Sequence, residues 1–233
     1  MSYKATILCI DPPYLFKDPL TMSETPRGAM SNYPPLTIEE LKKLPIADIA
    51  DPSGALLALW CPSSLIQSGL DLMKVWNFDF KQTWIWVKIK KNINMNGDIN
   101  DVLSMYMGHT FRQCHEICLL GINNTKVYKK RINKAQRSVS FAANARHSEK
   151  PEELQNRLDI MFGNNVNKIE LFARRQRKGT ICIGNEAPMT FNEDIRLSLS
   201  KLMDLSDDKI SLIKETINLD KIDNEKLVSI WND

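Results

Sequence analysis

Three histidines in 233 residues leave little scope for histidine chemistry, and neither a glycine-rich phosphate cradle nor a Ser/His/Asp constellation is visible along the chain. No apolar run approaches the length of a membrane span. The opening MSYKATILCI leads straight into a strand-like segment, without a signal-peptide pattern. Five cysteines, an odd number at irregular spacing, speak against a disulfide framework and predict reduced thiols in a cytoplasmic protein. Disorder as the main state is excluded by a composition of 43% hydrophobic and 25% charged residues, which suits a domain with a full core. A large net charge is missing too, but +3 conceals an uneven distribution. From Lys81 to Arg146 there are 12 Lys or Arg against 3 Asp or Glu; from Thr190 onward there are 6 against 10. A basic middle beside an acidic tail points to an anionic partner for the middle, or to an unevenly charged solvated surface.

What is present is a series of short apolar runs rich in β-branched and aromatic residues. ATILCI (5–10), GALLALW (54–60), QTWIWVKI (82–89), HEICLLGI (115–122), KIELFA (168–173) and TICIG (180–184) read as strands. LTIEELKKL (36–44) reads as a helix capped by Thr37. SSLIQSGLDLMKVW (63–76) places Leu65, Ile66, Leu70, Met73 and Trp76 near one helical face. KPEELQNRLDIMFG (150–163) has Pro151 suited to the first helical position, and a Leu154, Leu158, Phe162 stripe that ends at Gly163. Apolar strands alternating with amphipathic helices predict an α/β fold, a mostly parallel sheet with helices on both faces. Residues 17–35 and 123–147 lack periodicity and are long for passive connections. The segment from 192 to 231 reads as three short helices capped near Ser206 and Asp223. Its apolar positions Leu199, Leu202, Ile213, Ile217, Leu227 and Trp231 make it a candidate packing or dimerisation element, or a contact for a protein partner.

The stretch LCIDPPYLFKD (8–18) ends a buried run with an acid, two prolines and an aromatic. Two prolines cannot continue a central strand, so Asp11, Pro12, Pro13 and Tyr14 form a rigid loop at a strand end, where α/β proteins place their chemistry. The Asp11 carboxylate and the Pro12 carbonyl offer two acceptors with the Tyr14 ring alongside. That arrangement suits a planar base with an exocyclic amino group, whose two N–H bonds are accepted while the ring stacks on its face. An aromatic amine is a weak nucleophile, and holding its hydrogens would localise the nitrogen lone pair and aim it at an electrophilic carbon. A simple turn after a strand is the alternative for these four residues alone.

Read in order, the chain resembles the MT-A-type adenine-N6 methyltransferases, most of all their short bacterial and phage members. The resemblance is carried by IDPPY (10–14), GAMSNYPPLTIEEL (28–41), LALWCP (57–62), FDFKQTWIWVK (78–88), GHTFRQCHEICLLGI (108–122), HSEKPEELQNRLDIMFG (147–163), KIELFARRQRKG (168–179) and IGNEA (183–187). It implies a Rossmann-like fold in permuted motif order over residues 1–189, followed by a helical extension over 190–233. It also implies S-adenosylmethionine as methyl donor and N6 of adenine as acceptor. By the same resemblance, Asp11, Pro12, Pro13 and Tyr14 are the catalytic loop, and Asp11 also contacts the amino group of the donor's methionine moiety. Lys150 falls at the methionine end of the donor, a cation for its carboxylate. Glu170, Leu171, Phe172, Ala173 and Arg174 match the strand-end loop beside the donor, and Asn185 and Glu186 end the next strand, where ribose hydroxyls are bound. Arg112 and Glu116 lie in the segment associated with the target adenine. Tyr14 stands where many members have Trp, which keeps a stacking ring, and RKGT (177–180) replaces a more usual Arg-Pro-Gly-Trp.

Further substrate contacts are expected from Tyr33 and from the basic run that holds Lys129, Lys130 and Arg131, read as a phosphate-contacting loop or otherwise a solvated one. The loops 17–35 and 123–147 would hold the strand and fill the gap left by a flipped base. A metal site at CHEIC (114–118) with His109 is disfavoured, because Cys114 and Cys118 share a strand face that His115 does not. Trp84 and Trp86 are expected in the core. The substrate expected from the likeness to short microbial members is DNA, with RNA the first alternative and N4-cytosine methylation a related chemistry. From a different class, the chain could be a non-catalytic nucleic-acid-binding subunit of a methyltransferase complex.

Overall fold

Four consecutive residues with buried side chains, Ile7–Ile10, form β1, an interior strand of a seven-stranded sheet. The structure, a computed structural model, describes residues 3–15, 34–92, 98–106, 108, 110–144 and 150–233. On one side β1 pairs in parallel with β2 (Leu56–Cys61), Ile7 opposite Leu56; on the other it pairs in parallel with β6 (Lys168–Leu171), Ile7 opposite Lys168. The strand β7 (Ile181–Ile183) continues the sheet beyond β6, also in parallel. Beyond β2 the direction reverses once. There β4 (His115–Ile122) runs antiparallel both to β2 and to β3 (Asp79–Ile89), and β5 (Val139–Ala143) lies parallel to β3 at the outer edge. The order is β5-β3-β4-β2-β1-β6-β7, so the sheet is mostly parallel with β4 reversed, in the α/β, Rossmann-like arrangement.

Because side chains alternate along a strand, β1 feeds two cores. Leu8 and Ile10 join Leu57, Leu59, Leu171 and Ile183 on one face; Ile7 and Cys9 join Ala58, Trp60, Trp84 and Trp86 on the other. The first face is covered by α1 (Ile38–Lys42), α2 (Ile46–Ile49), α3 (Ile66–Val75) and the C-terminal helices α5 (Ile195–Asp204), α6 (Asp207–Ile217) and α7 (Asn224–Asn232). The second face is covered by α4 (Glu153–Phe162), which buries Leu154, Leu158 and Phe162. Helix α1 starts at the expected cap: the Thr37 hydroxyl accepts the Glu40 N–H at 3.2 Å, and the Glu40 carboxylate accepts the Thr37 N–H at 2.8 Å. Helices α5, α6 and α7 are capped by Asp194, Ser206 and Asp223, and their apolar positions Leu199, Leu202, Ile213, Ile217, Leu227 and Trp231 are all buried in the core that Leu8 and Ile10 share.

Three local expectations need correction. Pro151 precedes α4 rather than opening it; Glu152 is the cap and Glu153 the first helical residue. The buried face of α3 is Gly69, Leu72 and Met73, followed by Trp76, while Ile66 is exposed. Gly69 is the cause, since a Cβ there would lie 2.7 Å from Cys61 Sγ, and that close approach centres the helix on its glycine. Finally, β5 lies inside the stretch 123–147 read as aperiodic, with Ser140 and Ala142 turned inward and Val139 and Phe141 outward. Among the described residues, no helix is long and apolar enough to cross a membrane.

Candidate active site

The chain leaves β1 towards β2 on one side of the sheet and returns to β6 on the other, so the end of β1 is the point where the winding order reverses. Crevices in open α/β sheets form at such points, and Asp11 occupies this one. Prolines 12 and 13 end the ladder, and the corner is then pinned from several directions. The Tyr14 N–H donates to the Pro12 carbonyl at 2.9 Å, the Leu36 N–H to the Pro13 carbonyl at 2.8 Å, and the Leu15 N–H to the Leu36 carbonyl at 3.0 Å. The buried Tyr14 hydroxyl donates to the Trp60 carbonyl near the end of β2 at 3.0 Å. The Pro12 carbonyl is therefore already engaged once, and its second lone pair is what remains for a ligand.

Lys150 reaches this corner across 139 positions of sequence. Its Nζ lies 2.8 and 2.9 Å from the two carboxylate oxygens of Asp11 and 3.4 Å from Glu116 Oε2. Glu116 in turn is 2.6 Å from Lys88 Nζ. The cations also lie over aromatic faces, Lys150 5.4 Å from the Trp60 ring centre and Lys88 4.3 Å from that of Tyr106. Burial drives the Asp11 carboxyl above its ordinary pKa, and Lys150 offsets only part of that effect. For Glu116 burial works in the same direction, but Lys150 and Lys88 together outweigh it and hold the carboxyl below the usual range. Burial opposes the charge on Lys150, yet the two carboxylates keep its ammonium above its ordinary value. The group is a chain of alternating charges, Asp11, Lys150, Glu116, Lys88, fixed at the carboxyl end of the parallel strands.

Asp11 and Lys150 stand between two clefts. One, of about 300 Å³, has proline and aromatic walls from Pro12, Pro13, Tyr14, Trp60, Pro62 and Tyr106, with Gln113 and Glu116 on its margin. The other, of about 370 Å³, is lined by charged and amide side chains, among them Glu152, Gln155, Glu170, Arg175, Arg177 and Glu186. Phe172 and Arg174 face both. Phe172 is held in the left-handed region at φ 61°, an unfavourable conformation for a residue with a side chain, and it follows β6 directly. In the polar cleft, burial first and the Asp11 carboxylate second push the Glu170 carboxyl up to about 7. Glu170 Oε2 and Gln155 Oε1 are buried without a hydrogen-bond partner among the described residues. The nearest cation to that Glu170 oxygen, Arg177 Nε at 3.7 Å, makes an ion pair longer than a hydrogen bond. Such atoms are costly unless something else satisfies them.

Of the residues singled out from the sequence, Asp11, Pro12, Pro13, Tyr14, Lys150, Glu116, Phe172 and Arg174 are brought together here, and Glu186 lines the polar cleft 4.0 Å from Arg174. Asn185 is half-buried on the same turn, where its carbonyl accepts the Asn192 N–H. Arg112 is exposed just ahead of β4. Lys129, Lys130 and Arg131 are not part of the group. Because β4 runs antiparallel, the chain after Ile122 emerges beside Leu56, at the opposite end of β2 from Trp60 and Cys61. Lys130 is bound there to Asp51 at 2.7 Å and to the Gly54 carbonyl at 3.0 Å, and Arg131 stacks on Tyr128. The later part of the same stretch returns to the cleft: Ala143 pairs with Ile89, and Asn144 Nδ2 donates to the Tyr106 hydroxyl at 3.3 Å. Tyr33, His109 and most of the loop 17–35 lie outside the described residues. Trp84 and Trp86 are buried, as expected. Among the described residues, no cluster of His, Cys, Asp or Glu is placed to hold a metal ion.

The sequence reading missed Lys88, Trp60, Tyr106 and Gln155, whereas Glu170 was placed beside the donor as part of the strand-end loop. Lys88 follows two buried tryptophans in the inner half of β3, and a lysine beside buried aromatics is the signal that could have marked it. Compared with known families, residues 5–186 match the model of the family described as MT-A70. No curated protein matches the chain.

Proposed function

The chain belongs to the MT-A70 family of methyltransferases, and from that premise we propose that it transfers a methyl group from S-adenosylmethionine to N6 of adenine in DNA. The observation that carries the reading is the position of Asp11, a partly buried acid on a proline corner between an aromatic-walled cleft and a polar one. Two reactants that differ this much in chemistry need two such compartments with one acceptor group between them.

The polar cleft fits the donor. Lys150, Arg174, Arg175 and Arg177 supply cations for an α-carboxylate, Asp11 and Glu170 supply acceptors for an α-ammonium, and Glu186 suits ribose hydroxyls. The unsatisfied oxygens of Glu170 and Gln155 are the independent sign that the cleft is made for a ligand with hydrogen-bond donors. Its volume falls in the range of small-molecule sites, roughly 300–1,000 Å³. When bound, S-adenosylmethionine supplies an electrophilic sulfonium methyl group.

The remaining steps belong to the chain itself. Pro62, Tyr14 and Tyr106 wall the base cleft and exclude water from the base faces. The Asp11 carboxylate accepts one N–H of the adenine amino group, and the free lone pair of the Pro12 carbonyl accepts the other. Lys150 holds both oxygens of Asp11, so the acceptor needs no reorientation when the nitrogen lone pair attacks. Asp11, or water at the cleft, would take the proton that the amino nitrogen gives up once it carries the methyl group. DNA is preferred to RNA on the likeness to the short microbial members. The test incubates purified protein with labelled donor and unmethylated DNA or RNA, followed by digestion to nucleosides. Label in N6-methyl-2′-deoxyadenosine is the expected result; label in a ribonucleoside would move the substrate to RNA, and no label together with no donor binding by calorimetry would favour a non-catalytic subunit.

A further inference from the structure

The aromatic-walled cleft has an exposed apolar rim that the chemistry above does not use. Residues Val102–Tyr106 run back along the end of β3: the Lys90 N–H donates to the Val102 carbonyl at 2.9 Å, and the Ser104 N–H to the Lys88 carbonyl at 2.9 Å. Tyr106 and Gln113 then exchange backbone hydrogen bonds of 3.0 and 3.2 Å, which closes a hairpin whose two arms both reach the cleft lining. Its turn depends on Gly108, where a Cβ would lie 2.1 Å from the Phe111 carbonyl oxygen. On this turn Phe111 is 85% exposed, and on the incoming arm Met105 is 70% exposed. Single exposed apolar residues are ordinary. A phenylalanine held out on a turn that is bonded to the wall of a base-sized cleft is a different matter.

Resting on the reading that the cleft admits an adenine from DNA, we propose that Phe111 enters the duplex as the target base leaves and occupies its place in the stack. A base withdrawn from a duplex leaves an unstacked gap and an orphaned partner, and apolar side chains inserted between base steps are an established way to hold such a distortion. The surroundings favour nucleic acid over a protein partner. Lys90 and Lys91 lie at the strand end to which the hairpin is bonded, and Arg112 adjoins Phe111 in sequence, so positive charge flanks the turn where phosphates on either side of the gap would lie. The basic run that holds Lys129, Lys130 and Arg131 follows β4 at the far end of β2 from the cleft.

The experiment compares wild type, Phe111→Ala and Phe111→Trp as full chains on two duplexes of the sequence mapped by the methylation assay. One is fully paired; in the other the target adenine faces an abasic site, so that little stacking opposes its exit. The expected result is a loss of about tenfold in kcat/KM for Phe111→Ala on the paired duplex, a change within about twofold on the abasic one, and near wild-type rates for Phe111→Trp on both. An equal loss on the two duplexes, or no loss on either, overturns the proposal and leaves the transfer reaction standing. A second readout is independent of transfer: with 2-aminopurine at the target position, wild type should brighten the paired duplex and Phe111→Ala should not. If wild type neither methylates nor brightens DNA, the substrate reading and the wedge fall together; if it methylates single-stranded RNA with the same efficiency in Phe111→Ala, the wedge is overturned.

Discussion

Replacing Lys150 by Met tests the charge chain where it is most exposed to failure. The substitution roughly preserves the length of the side chain and removes the ammonium that lies 2.8 Å from Asp11 and 3.4 Å from Glu116. Breaking a buried ion pair by deleting one partner typically costs about 3–5 kcal/mol. Asp11 keeps 36% of its side chain accessible, so solvent screening brings the expected cost down to about 2 kcal/mol. In a chain of this length that is a fall in Tm of about 4–8 °C. The sign with pH follows from the two carboxyls. Asp11 already has a raised pKa in the folded protein and rises further without Lys150, so its charged form is penalised more and more as pH climbs through that value. Glu116 has a depressed pKa, and the stability that its charge contributes above the ordinary carboxyl range is partly lost with the cation. Both effects are largest at pH 8 and fade as the carboxyls take up protons. The gap in Tm between variant and wild type should therefore narrow steadily from pH 8 to pH 4, measured by circular dichroism. Adding Asp11→Asn to the variant should restore more than half of the lost stability at pH 8 without restoring methyl transfer. A gap that stays constant with pH would refute the reasoning, because Lys150 would then act through packing alone.

Asp11→Asn by itself should lower methyl transfer by about 100-fold or more, with an unchanged far-ultraviolet spectrum, since it removes the negative charge that strengthens the hydrogen bond and can take up the proton. Glu170→Gln should raise Tm at pH 8 and leave it unchanged near pH 4.5: a carboxyl moved from 4.5 to about 7 destabilises the fold once ionised, by at most about 3 kcal/mol. The same variant should weaken donor binding by calorimetry. Tyr14→Phe removes the bond to the Trp60 carbonyl and the contact with the Cys61 thiol, and should cost about 1 kcal/mol in urea unfolding, with transfer retained within about tenfold.

How far the sequence could be read depended on whether a signal was local. The Thr37 cap, the Leu154–Phe162 stripe and the Ser206 and Asp223 caps of the last two helices are set by residues within a few positions of each other, and all stand in the structure. The Asp11 corner was legible for the same reason, since two prolines dictate where a strand must stop. The direction of β4 was not, because a short apolar run has the same pattern in a parallel or an antiparallel neighbour, and with it went the placement of Lys129, Lys130 and Arg131. In β5 the polarity is inverted, with Ser140 inside and Phe141 outside, which hides its alternation. The face of α3 was misplaced by counting only large apolar residues, when the closest contact is made by Gly69. Glu170 and Lys88 acquire their character from neighbours far along the chain, Asp11 for the first and Glu116 for the second.

The first strand, β1, lies inside the sheet, and its two neighbours are far apart in the order of synthesis. Leu56 can meet Ile7 early, but Lys168, on the other side, is made 112 residues after Leu56. At about 5–20 residues per second, a nascent chain waits on the order of ten seconds between the two events, with one side of β1 unpaired. Asp11 meets Lys150 only within the same interval. Growing ribosome-bound chains thus carry a half-finished sheet edge and no working corner until most of the polypeptide exists, so helper proteins that shield such edges should matter most for chains stalled between residues 60 and 168.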